Sequence, residues 1–454
     1  MNEKISRFLF YPIWELISSR STVKFYTTLR NLEKTQWLDK KELEKVQEVK
    51  LFNLLKHAYK NVPYYTHLFD KLGIKPQNIK KKEDLQKLPI LTKELIRENF
   101  QDLLARNRKP NSYQLDHTGG STGKVLDFYR DLKSREYALA INRRFWRWAG
   151  YDIGTKILRI WGSPSDINKY DNIRTRLHFK LTNSMILNSF EMGETQLGEY
   201  AEKFQEFRPK IVHGYANAVY LFAQYIDKNK LAFNKPKSVI TTSEKLYPYQ
   251  RKLIERVFGC KVFEEYGCRE MDLIAHECES HDGMHVANEK YILEFMYDGN
   301  HKTSPRIGSI ILTDLENYAM PFIRYKNEDM ASLMQNDCRC GRKLDKISYI
   351  TGRITDFLIG TNGNRVSGAA VTPFFAKLRG INEFRIVQEH KDVVRVMLVR
   401  SKTVDPTISP SINKFLKKFL GDRMHIKLEF CRKIPKLKSG KMRIIINEMR
   451  GRRT

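Results

Sequence analysis

A glycine-rich run of seven residues constrains this chain more than any other stretch. Its residues are Thr118, Gly119, Gly120, Ser121, Thr122, Gly123 and Lys124. Because glycine has no Cβ, several backbone N–H groups can converge on one anion, and the hydroxyl groups and the lysine add donors and positive charge. A Walker loop is excluded, since the two glycines of that motif lie five positions apart, whereas Gly119 and Gly123 lie four apart. The run predicts a loop that holds a polyphosphate, with a flexible surface turn as the alternative.

The residues after this run have the pattern of a β-strand. Apolar and polar side chains alternate over residues 125–131. A hairpin closed around the phosphate loop therefore fits the sequence better than the strand–loop–helix order of a P-loop.

The rest of the chain changes pattern twice. Apolar residues recur at helical spacing over residues 30–110, and strand and helix patterns then alternate over residues 157–266. This alternation predicts an α/β domain with a parallel sheet. The pattern of a second, antiparallel sheet begins near residue 291, and a compact α+β segment follows residue 354. The chain of 454 residues is long enough for these parts, and we predict two domains, residues 1–353 and residues 354–454.

Polar and aromatic side chains follow several of the predicted parallel strands, where the ligands of such sheets bind. They are His213, Gly214 and Tyr215, then Ser243 and Glu244, then Tyr266 and Gly267. Together with Trp161, residues 213–216 predict a pocket of mixed apolar and polar character for a small substrate.

Lysine and arginine outnumber acidic residues by 81 to 52, for a formal net charge of +29. This charge suits nucleic acid, an anionic membrane surface or an acidic substrate, but we find no nucleic-acid-binding motif. We interpret it as solvated surface, with membrane-surface attachment through the aromatic residues 8–14 as the alternative. No stretch reaches the ~18 apolar residues of a spanning helix, and six cysteines without a signal peptide indicate a reducing compartment. The expected location is the cytoplasm, with the inner membrane face as the alternative.

Two further stretches carry chemistry suited to a nucleotide. The ring of Tyr266 can stack on adenine. The carboxylate of Glu270, four residues later, can ligate the magnesium ion of a nucleoside triphosphate. Asp329, at the end of an apolar and basic stretch, can accept hydrogen bonds from ribose hydroxyl groups. Each stretch alone is a weak signal, because Tyr-Gly pairs are common in turns and charged runs are usually solvated.

Five stretches occur in the order found in the adenylate-forming ligases. They are 118–124, 266–270, 321–329, 352–356 and 435–441. The chain resembles this group, and within it the phenylacetate–CoA ligase family and its relatives in capsular polysaccharide biosynthesis gene clusters. The resemblance implies a large N-terminal adenylate-forming domain with parallel sheets and a β subdomain, and a small, mobile α+β C-terminal domain.

The resemblance also implies how the nucleotide is held. The glycine-rich run with Lys124 would bind phosphates, Tyr266 and Gly267 would adjoin adenine, and Glu270 would ligate magnesium. Cys268 stands where many relatives have a small residue or threonine.

Further residues complete the implied nucleotide site. Ser243 and Glu244 would follow the adenine and ribose, with a helix N-terminal acid as the alternative role of Glu244. Asp329 would bind ribose, although Asn327–Glu328 replaces the usual Thr-Gly, and Arg353 would lie near ribose and phosphate.

The implied motion of the C-terminal domain concerns two residues. Thr355 occupies the position of the family's hinge aspartate. Lys441 would close over the α-phosphate during adenylation. The alternative is that Lys441 belongs to a basic tail without a catalytic role.

The chain also holds four soft ligands that suit tetrahedral zinc: Cys278, His285, Cys338 and Cys340. Their spacing is not that of a standard zinc finger. His276 and His281 are alternative ligands, and separate thiols without a metal are the alternative to a site. Some members of the resembling family carry zinc at matching positions, so the resemblance favours a structural zinc ion.

The implied reaction has two steps. A carboxylate attacks the α-phosphate of Mg·ATP to give an acyl-adenylate and pyrophosphate, and a thiol, CoA in the first interpretation, then accepts the acyl group. An amine or hydroxyl group of a surface-polysaccharide precursor is the alternative acceptor, and a basic, non-catalytic scaffold is the alternative to an enzyme. The sequence does not identify the acid or the oligomeric state.

Overall fold

The computed structural model describes residues 22–109, 111–118, 126–161, 173–189, 192–297, 307–353, 357–362, 365–367, 371, 374–375, 378, 380–400, 408–435 and 443–449. The predicted phosphate-loop residues 119–124, the aromatic segment 8–14, Thr355 and Lys441 lie outside this part of the chain. Within it, every helix is too short or too polar to cross a membrane.

Helices form most of the described chain before the first strand. They are α1 (Thr22–Thr35), α2 (Lys40–Asn61), α3 (Pro63–Lys71) and α4 (Lys93–Glu98), with 3₁₀ turns at Pro76–Asn78 and Lys82–Lys87. Asp39 and Glu42 form a capping box at the start of α2. Pro63 takes the first position of α3, where a missing N–H costs no helical hydrogen bond. The predicted helical region and its interruption at Pro63 are confirmed.

A hairpin and a long helix follow. They are β1 (Tyr113–His117), β2 (Asp127–Asp131) and α5 (Leu132–Trp148). β1 and β2 pair antiparallel over five residue pairs, and the side chain of Asp131 caps α5 by accepting a hydrogen bond from the N–H of Lys133. The predicted hairpin on either side of the glycine-rich run is confirmed.

A nine-stranded sheet forms the centre of the fold. Its strands are β3 (Ile157–Trp161), β4 (Ser184–Asn188), β5 (Ile211–Tyr215), β6 (Ser238–Thr242), β7 (Lys261–Cys268), β8 (Asp272–Glu277), β9 (Met284–Val286), β13 (Leu333–Met334) and β14 (Lys346–Ile347). Strands β4, β3, β5, β6 and β7 are parallel neighbours in that order, which confirms the predicted parallel sheet. Strands β8, β9, β14 and β13 extend it antiparallel beyond β7.

Helices cover both faces of the parallel strands. They are α5 and the helices α6 (Ile173–Leu181), α7 (Glu194–Phe207), α8 (Ala216–Lys228) and α9 (Pro248–Phe258). Phe204, Phe222 and Phe258 pack from α7, α8 and α9 onto one face, whereas Trp146 of α5 packs against Ile157 on the other. Because both faces are covered, the central strands β5 and β6 are buried at every residue, as is usual for parallel sheets, whereas the edge strand β4 is mostly half-buried.

A second, antiparallel sheet confirms the change of pattern near residue 291. It has the order β10 (Tyr291–Met296), β11 (Gly308–Asp314), β12 (Tyr325–Ala331) and β15 (Gly352–Arg353). Residues of this sheet share one apolar core with helices α2 and α3 and with the hairpin. The hairpin, β7 and β12 are therefore held together by a single core.

The C-terminal part contains the predicted α+β segment. Its elements are β16 (Phe357–Ile359), β17 (Arg365–Ser367), β18 (Ile381–His390), β19 (Val393–Arg400), α10 (Ile408–Leu420), β20 (His425–Cys431) and β21 (Ile445–Asn447). Four of the strands form a sheet in the order β20-β19-β18-β21, and α10 buries Ile412, Leu416 and Leu420 in the core beneath it. The boundary at residue 354 and the mobility of this part stay predictions.

Candidate active site

Thr118 closes the hairpin at the point where the glycine-rich run begins. Its backbone N–H donates to the carbonyl of Leu126 at 2.9 Å, and its hydroxyl oxygen accepts from the N–H of Leu126 at 2.9 Å. These two bonds hold Thr118 and Leu126, the described residues on either side of 119–125, next to each other. The position of these two residues is compatible with the predicted phosphate-binding role of the glycine-rich run between them.

Arg130 joins the hairpin to the turn that carries Glu270. Its guanidinium group donates to the carboxylate of Asp272 at 2.6 Å and to the backbone carbonyl of Arg269, and it lies 3.3 Å from a carboxylate oxygen of Asp116. The side chain is 8 % exposed. Arg130 therefore joins the hairpin that flanks the glycine-rich run to the turn that carries the predicted magnesium ligand Glu270, a role that the sequence analysis missed.

The structure brings Tyr266 and Asp329 into direct contact. The hydroxyl group of Tyr266 donates to Oδ2 of Asp329 at 3.0 Å. The amide of Asn327 donates to the same two groups, at 2.6 Å to the Tyr266 oxygen and at 3.1 Å to Oδ2 of Asp329. Burial, and then the charge of Asp329, raise the pKa of Tyr266 well above its ordinary value. Asn327, which replaces the threonine usual in relatives, thus orients both predicted nucleotide-binding residues.

Glu270 lies beside this group and is 8 % exposed. The hydroxyl group of Tyr325 donates to Oε1 of Glu270 at 2.7 Å, and Tyr325 is completely buried. Because a carboxylate has two oxygens, one can be fixed by a tyrosine while the other serves a cation. Burial and the charges of Glu270 and Asp329 raise the pKa of the neighbouring Cys268 thiol well above its ordinary value. Cys268 is therefore a neutral thiol at physiological pH.

The other predicted nucleotide-binding residues lie on neighbouring elements. Arg353 of β15 is paired in register with Asp329 of β12. Ser243 follows β6 with a left-handed backbone, φ 65°. The carboxylate of Glu244 accepts from the N–H of Asn217 at 3.0 Å, at the start of α8, and this is the helix N-terminal role that the sequence left open for Glu244. The assignment of these residues to a nucleotide stays a prediction.

Gly267 permits a close approach between β7 and β8. A Cβ at this position would lie 2.3 Å from the backbone oxygen of Asp272 and 3.0 Å from Cα of Leu273, and the register between the two strands shifts at this point. The residue next to the predicted adenine contact therefore has to be glycine.

We expect Gly267→Ala to destabilise the protein by about 1–3 kcal/mol, the usual cost of overpacking a tight site. Chemical denaturation at equilibrium measures it. Gly198→Ala in α7 is the matched control, because its Cβ would meet only the tyrosine hydroxyl of Tyr225, at 3.2 Å, and alanine favours a helix. Equal stability of the two variants would contradict the close approach at Gly267.

The predicted substrate-pocket residues fall into two groups. Trp161, His213 and Tyr215 lie on one face of the sheet, with ring centroids 5.2 Å apart for Trp161 and His213 and 4.6 Å apart for Trp161 and Tyr215. At Gly214 an added Cβ would lie 2.7 Å from the backbone oxygen of Ile160. The structure thus gives Gly214 a packing role, and its place in a pocket stays a prediction.

The four predicted zinc ligands converge on one point. Their ligand atoms all lie within 4.8 Å of one another: Sγ of Cys278 is 3.5 Å from Sγ of Cys338, and Sγ of Cys340 is 3.3 Å from Nε2 of His285. Nδ1 of His285 lies 3.3 Å from the carbonyl oxygen of Leu344. This contact fixes the ring with Nε2 towards the sulfur atoms, as in metal-binding histidines.

The chemistry of the group fits a structural zinc ion. Burial lowers the pKa of His285 to about 4, so its ring is neutral, which is the ligating form. The alternative ligands lie elsewhere: Nδ1 of His276 is 2.6 Å from the backbone oxygen of Glu277, and Nδ1 of His281 is 3.3 Å from the carboxylate of Glu277. The residues present can therefore hold zinc in a closed site of three sulfur atoms and one nitrogen.

The described elements define a class of protein: the chain has the fold of the adenylate-forming ligases. It superposes on 2-hydroxyisobutyryl-CoA ligase in its postadenylation state with a TM-score of 0.72, at 17 % identity over 91 % of each chain. The thioesterification state of the same ligase gives a TM-score of 0.60, at 18 % identity over 90 % of this chain and 91 % of that one. The predicted α/β architecture with a C-terminal domain is confirmed.

More particular similarity comes from two relatives and a family model. The chain is 26 % identical to Protein CapK of Staphylococcus aureus over 441 residues, which cover 96 % of this chain and 94 % of CapK. It is 24 % identical to the phenylacetate-coenzyme A ligase of Thermus thermophilus over 341 residues, 71 % of this chain and 73 % of that one. Residues 358–448 match the CapK C-terminal domain. The predicted resemblance is confirmed: the relatives of this chain include an acid–thiol ligase, and its structural neighbours share the adenylate-forming fold.

Proposed function

We propose that this chain uses Mg·ATP to activate a carboxylic acid as an acyl-adenylate and then transfers the acyl group to a thiol, with CoA as the expected acceptor. The observation that carries the proposal is the buried contact of Tyr266, Asn327 and Asp329 beside Glu270. Similarity to phenylacetate-coenzyme A ligases and to a ligase solved with an acyl-AMP and CoA supports the acid, AMP and CoA as ligands.

Each step moves a defined group. An oxygen of the acid forms a bond to the α-phosphorus of ATP while the bond to pyrophosphate breaks. The thiol then gives up its proton and its sulfur bonds to the acyl carbon, while the bond from that carbon to the bridging oxygen breaks and AMP leaves with this oxygen. In the proposal Asp329 and Tyr266 hold the nucleoside, and the glycine-rich run and Lys441 neutralise charge at phosphate, where electrostatic stabilisation is usually the largest catalytic contribution. A magnesium ion held by Glu270 would neutralise further phosphate charge.

A pyrophosphate-exchange screen across aryl, alkyl, hydroxy and amino acids tests this function. We expect exchange with one of these classes, and AMP release that depends on CoA. ATP binding without exchange on any acid would contradict the proposed function and favour a non-catalytic scaffold.

An amine or hydroxyl acceptor from a surface-polysaccharide precursor is the second candidate. The observation in its favour is the extent of the CapK similarity, which covers 96 % of this chain and includes the C-terminal residues, whereas the similarity to phenylacetate-coenzyme A ligase covers 71 %. The family resemblance assigns the second half-reaction to a pose of the C-terminal domain, so similarity to CapK in that domain bears on the choice of acceptor. AMP release that requires an amine or a sugar, and not CoA, would select this candidate.

We expect Asp329→Ala to weaken ATP binding about tenfold or more, which corresponds to the ~1.5 kcal/mol typical of a hydrogen bond to a charged group. Calorimetric titration with ATP measures the effect. Glu328→Ala is the matched control, because Glu328 is the next residue but pairs with Lys93 at 2.8 Å. Unchanged ATP affinity in Asp329→Ala would remove Asp329 from the nucleotide site.

A further inference from the structure

A buried carboxylate holds the histidine of the predicted substrate pocket. Glu265 of β7 accepts from Nε1 of Trp146 through Oε2 at 2.9 Å, and its Oε1 lies 2.9 Å from Nε2 of His213. His213 is 5 % exposed and Glu265 is 9 % exposed. We call His213, Glu265 and Trp146 the histidine cluster. Since Trp146 belongs to α5 and the other two residues to β5 and β7, the cluster ties three elements together.

The chemistry of Glu265 fixes the orientation of the imidazole ring. Burial opposes ionisation of Glu265, but its interactions with His213 and the hydrogen bond from Trp146 outweigh burial and lower the pKa of Glu265 to about 2. An ionised carboxylate can only accept hydrogen bonds. His213 therefore donates from Nε2, and Nδ1 is the nitrogen that remains for another partner.

Nδ1 of His213 is buried and has no hydrogen-bond partner among the described residues. The ring lies between Trp146, at 4.9 Å, and Trp161, at 5.2 Å between centroids. Leaving a buried polar atom without a partner costs about 1–3 kcal/mol, so Nδ1 requires a partner, which a water molecule or a ligand group can supply. Trp161, whose ring adjoins that of His213, is partly exposed among the described residues.

The histidine cluster adjoins the nucleotide-binding residues. Glu265 immediately precedes Tyr266 in β7, and His213 lies near the carboxyl end of β5. An acid bound against Trp161 and Tyr215 would thus lie between the histidine cluster and the edge of the sheet at which the nucleotide is proposed to bind. A carboxylic acid has to lie close to the bound nucleotide to attack its α-phosphate, and a site at this edge of the sheet meets that requirement.

We propose that His213, positioned by Glu265, selects a hydroxy acid as the substrate by hydrogen bonding the hydroxyl group through Nδ1. A hydroxyl group both donates and accepts, so it can pair with Nδ1 whether or not that nitrogen carries a proton. The aromatic rings of Trp161 and Tyr215 contact the apolar part of the acid. An acid without the hydroxyl group leaves Nδ1 without a partner. This selection rests on the proposed function and names its substrate class.

Matched pairs of acids test the selection by pyrophosphate exchange: lactate with propionate, β-hydroxybutyrate with butyrate, and mandelate with phenylacetate. For at least one pair we expect kcat/KM to be more than about tenfold higher with the hydroxy acid, because a site built around a hydroxyl group rejects the analogue that lacks it. In His213→Phe the ratio of the two kcat/KM values should fall to near one. A wild-type ratio near one in every pair would overturn the selection.

Glu265→Gln tests the positioning role. The amide keeps the size of the side chain but presents a donor as well as an acceptor, so it no longer imposes donation from Nε2 of His213. We expect a smaller hydroxy-to-deoxy ratio and a changed protonation pattern of His213 in nitrogen NMR. A purely structural role would lower the rates of both acids equally and leave the ratio unchanged, which would overturn the assignment of Glu265.

Failure of the proposed function can be distinguished from failure of this selection. If no acid supports exchange, the ligase function is refuted, and the selection is then judged by the nitrogen resonances of His213 on addition of lactate, β-hydroxybutyrate or mandelate together with AMP. A shift of Nδ1 with a hydroxy acid but not with its deoxy partner would support a hydroxy-acid site. Identical spectra would overturn it.

Discussion

The double variant Cys338→Ser, Cys340→Ser should bind no zinc and should unfold at a clearly lower temperature than the parent protein. The parent should carry about one zinc ion per chain, as expected for four converging sulfur and nitrogen ligands. Metal analysis of protein prepared without chelator measures the ion, and thermal denaturation measures the stability. Structural zinc contributes on the order of 10 kcal/mol to the folding free energy of small zinc-binding peptides. We therefore expect the double variant to lose several kcal/mol of its free energy of unfolding.

The effect should be large because the ligands join separate strands at one edge of the central sheet. Cys278 follows β8, His285 lies in β9, and the cysteine pair lies between β13 and β14. The same loop carries Arg342, whose guanidinium lies 4.9 Å from the ring of Trp37 and 4.4 Å from that of Trp148. Loss of the metal would therefore also loosen the contact between this loop and the helices.

Two other cysteines provide the control. Cys260 and Cys431 are half-buried thiols outside the four-ligand group, and their serine variants should keep the zinc. A parent protein without zinc would contradict the site, and zinc that persists in the double variant would place the ligands elsewhere.

The sequence predicted the parts of the fold whose pattern is local. β5 and β6 are short runs of buried residues, and each is followed by a helix, so their parallel pairing could be inferred. β4 was missed because its apolar residues are only Met185, Ile186 and Leu187, a run too short to distinguish a strand from part of a helix. The antiparallel strands β9, β13 and β14 have two or three residues each and have no readable period.

The candidate site was predictable where a residue acts through its own chemistry and not where it acts through a distant partner. Tyr266, Asp329 and the four soft ligands could be named from residue type and family order. Arg130 and Glu265 could not, because their partners Asp272 and His213 lie 142 and 52 residues away. No local sequence pattern predicts such pairs, because the two residues of each pair become neighbours only in the folded chain.

Asn327 and Glu328 stand where the resembling family has Thr-Gly. The structure gives Asn327 a role there, whereas the backbone conformation of Glu328 is unfavourable for a residue with a side chain. Asn327 bonds both Tyr266 and Asp329. Glu328 has φ 72°, a left-handed conformation that glycine, the usual residue in relatives, adopts without strain. The ion pair with Lys93 offsets part of this cost. The ribose-binding prediction for Asp329 is therefore compatible with the altered sequence around it.

Lys441→Ala should abolish formation of the acyl-adenylate while leaving the second half-reaction near the parent rate. In the proposed mechanism the lysine offsets negative charge that accumulates at the α-phosphate when the carboxylate attacks. Removing one group that stabilises such charge commonly lowers the rate by a factor of ~10² or more. Pyrophosphate exchange measures the first step, and conversion of a synthetic acyl-adenylate to product measures the second.

The separation of the two half-reactions is what distinguishes a catalytic lysine from a structural one. In the second step AMP leaves from an acyl group that is already activated, so it has no need of a further cation at phosphorus. Lys433→Ala is the matched control, since it removes an exposed lysine of the same basic C-terminal tract and should preserve both steps. If Lys441→Ala slowed both half-reactions equally, the lysine would act on folding or on domain packing. That result would contradict the proposal that the C-terminal domain closes over ATP only during adenylation.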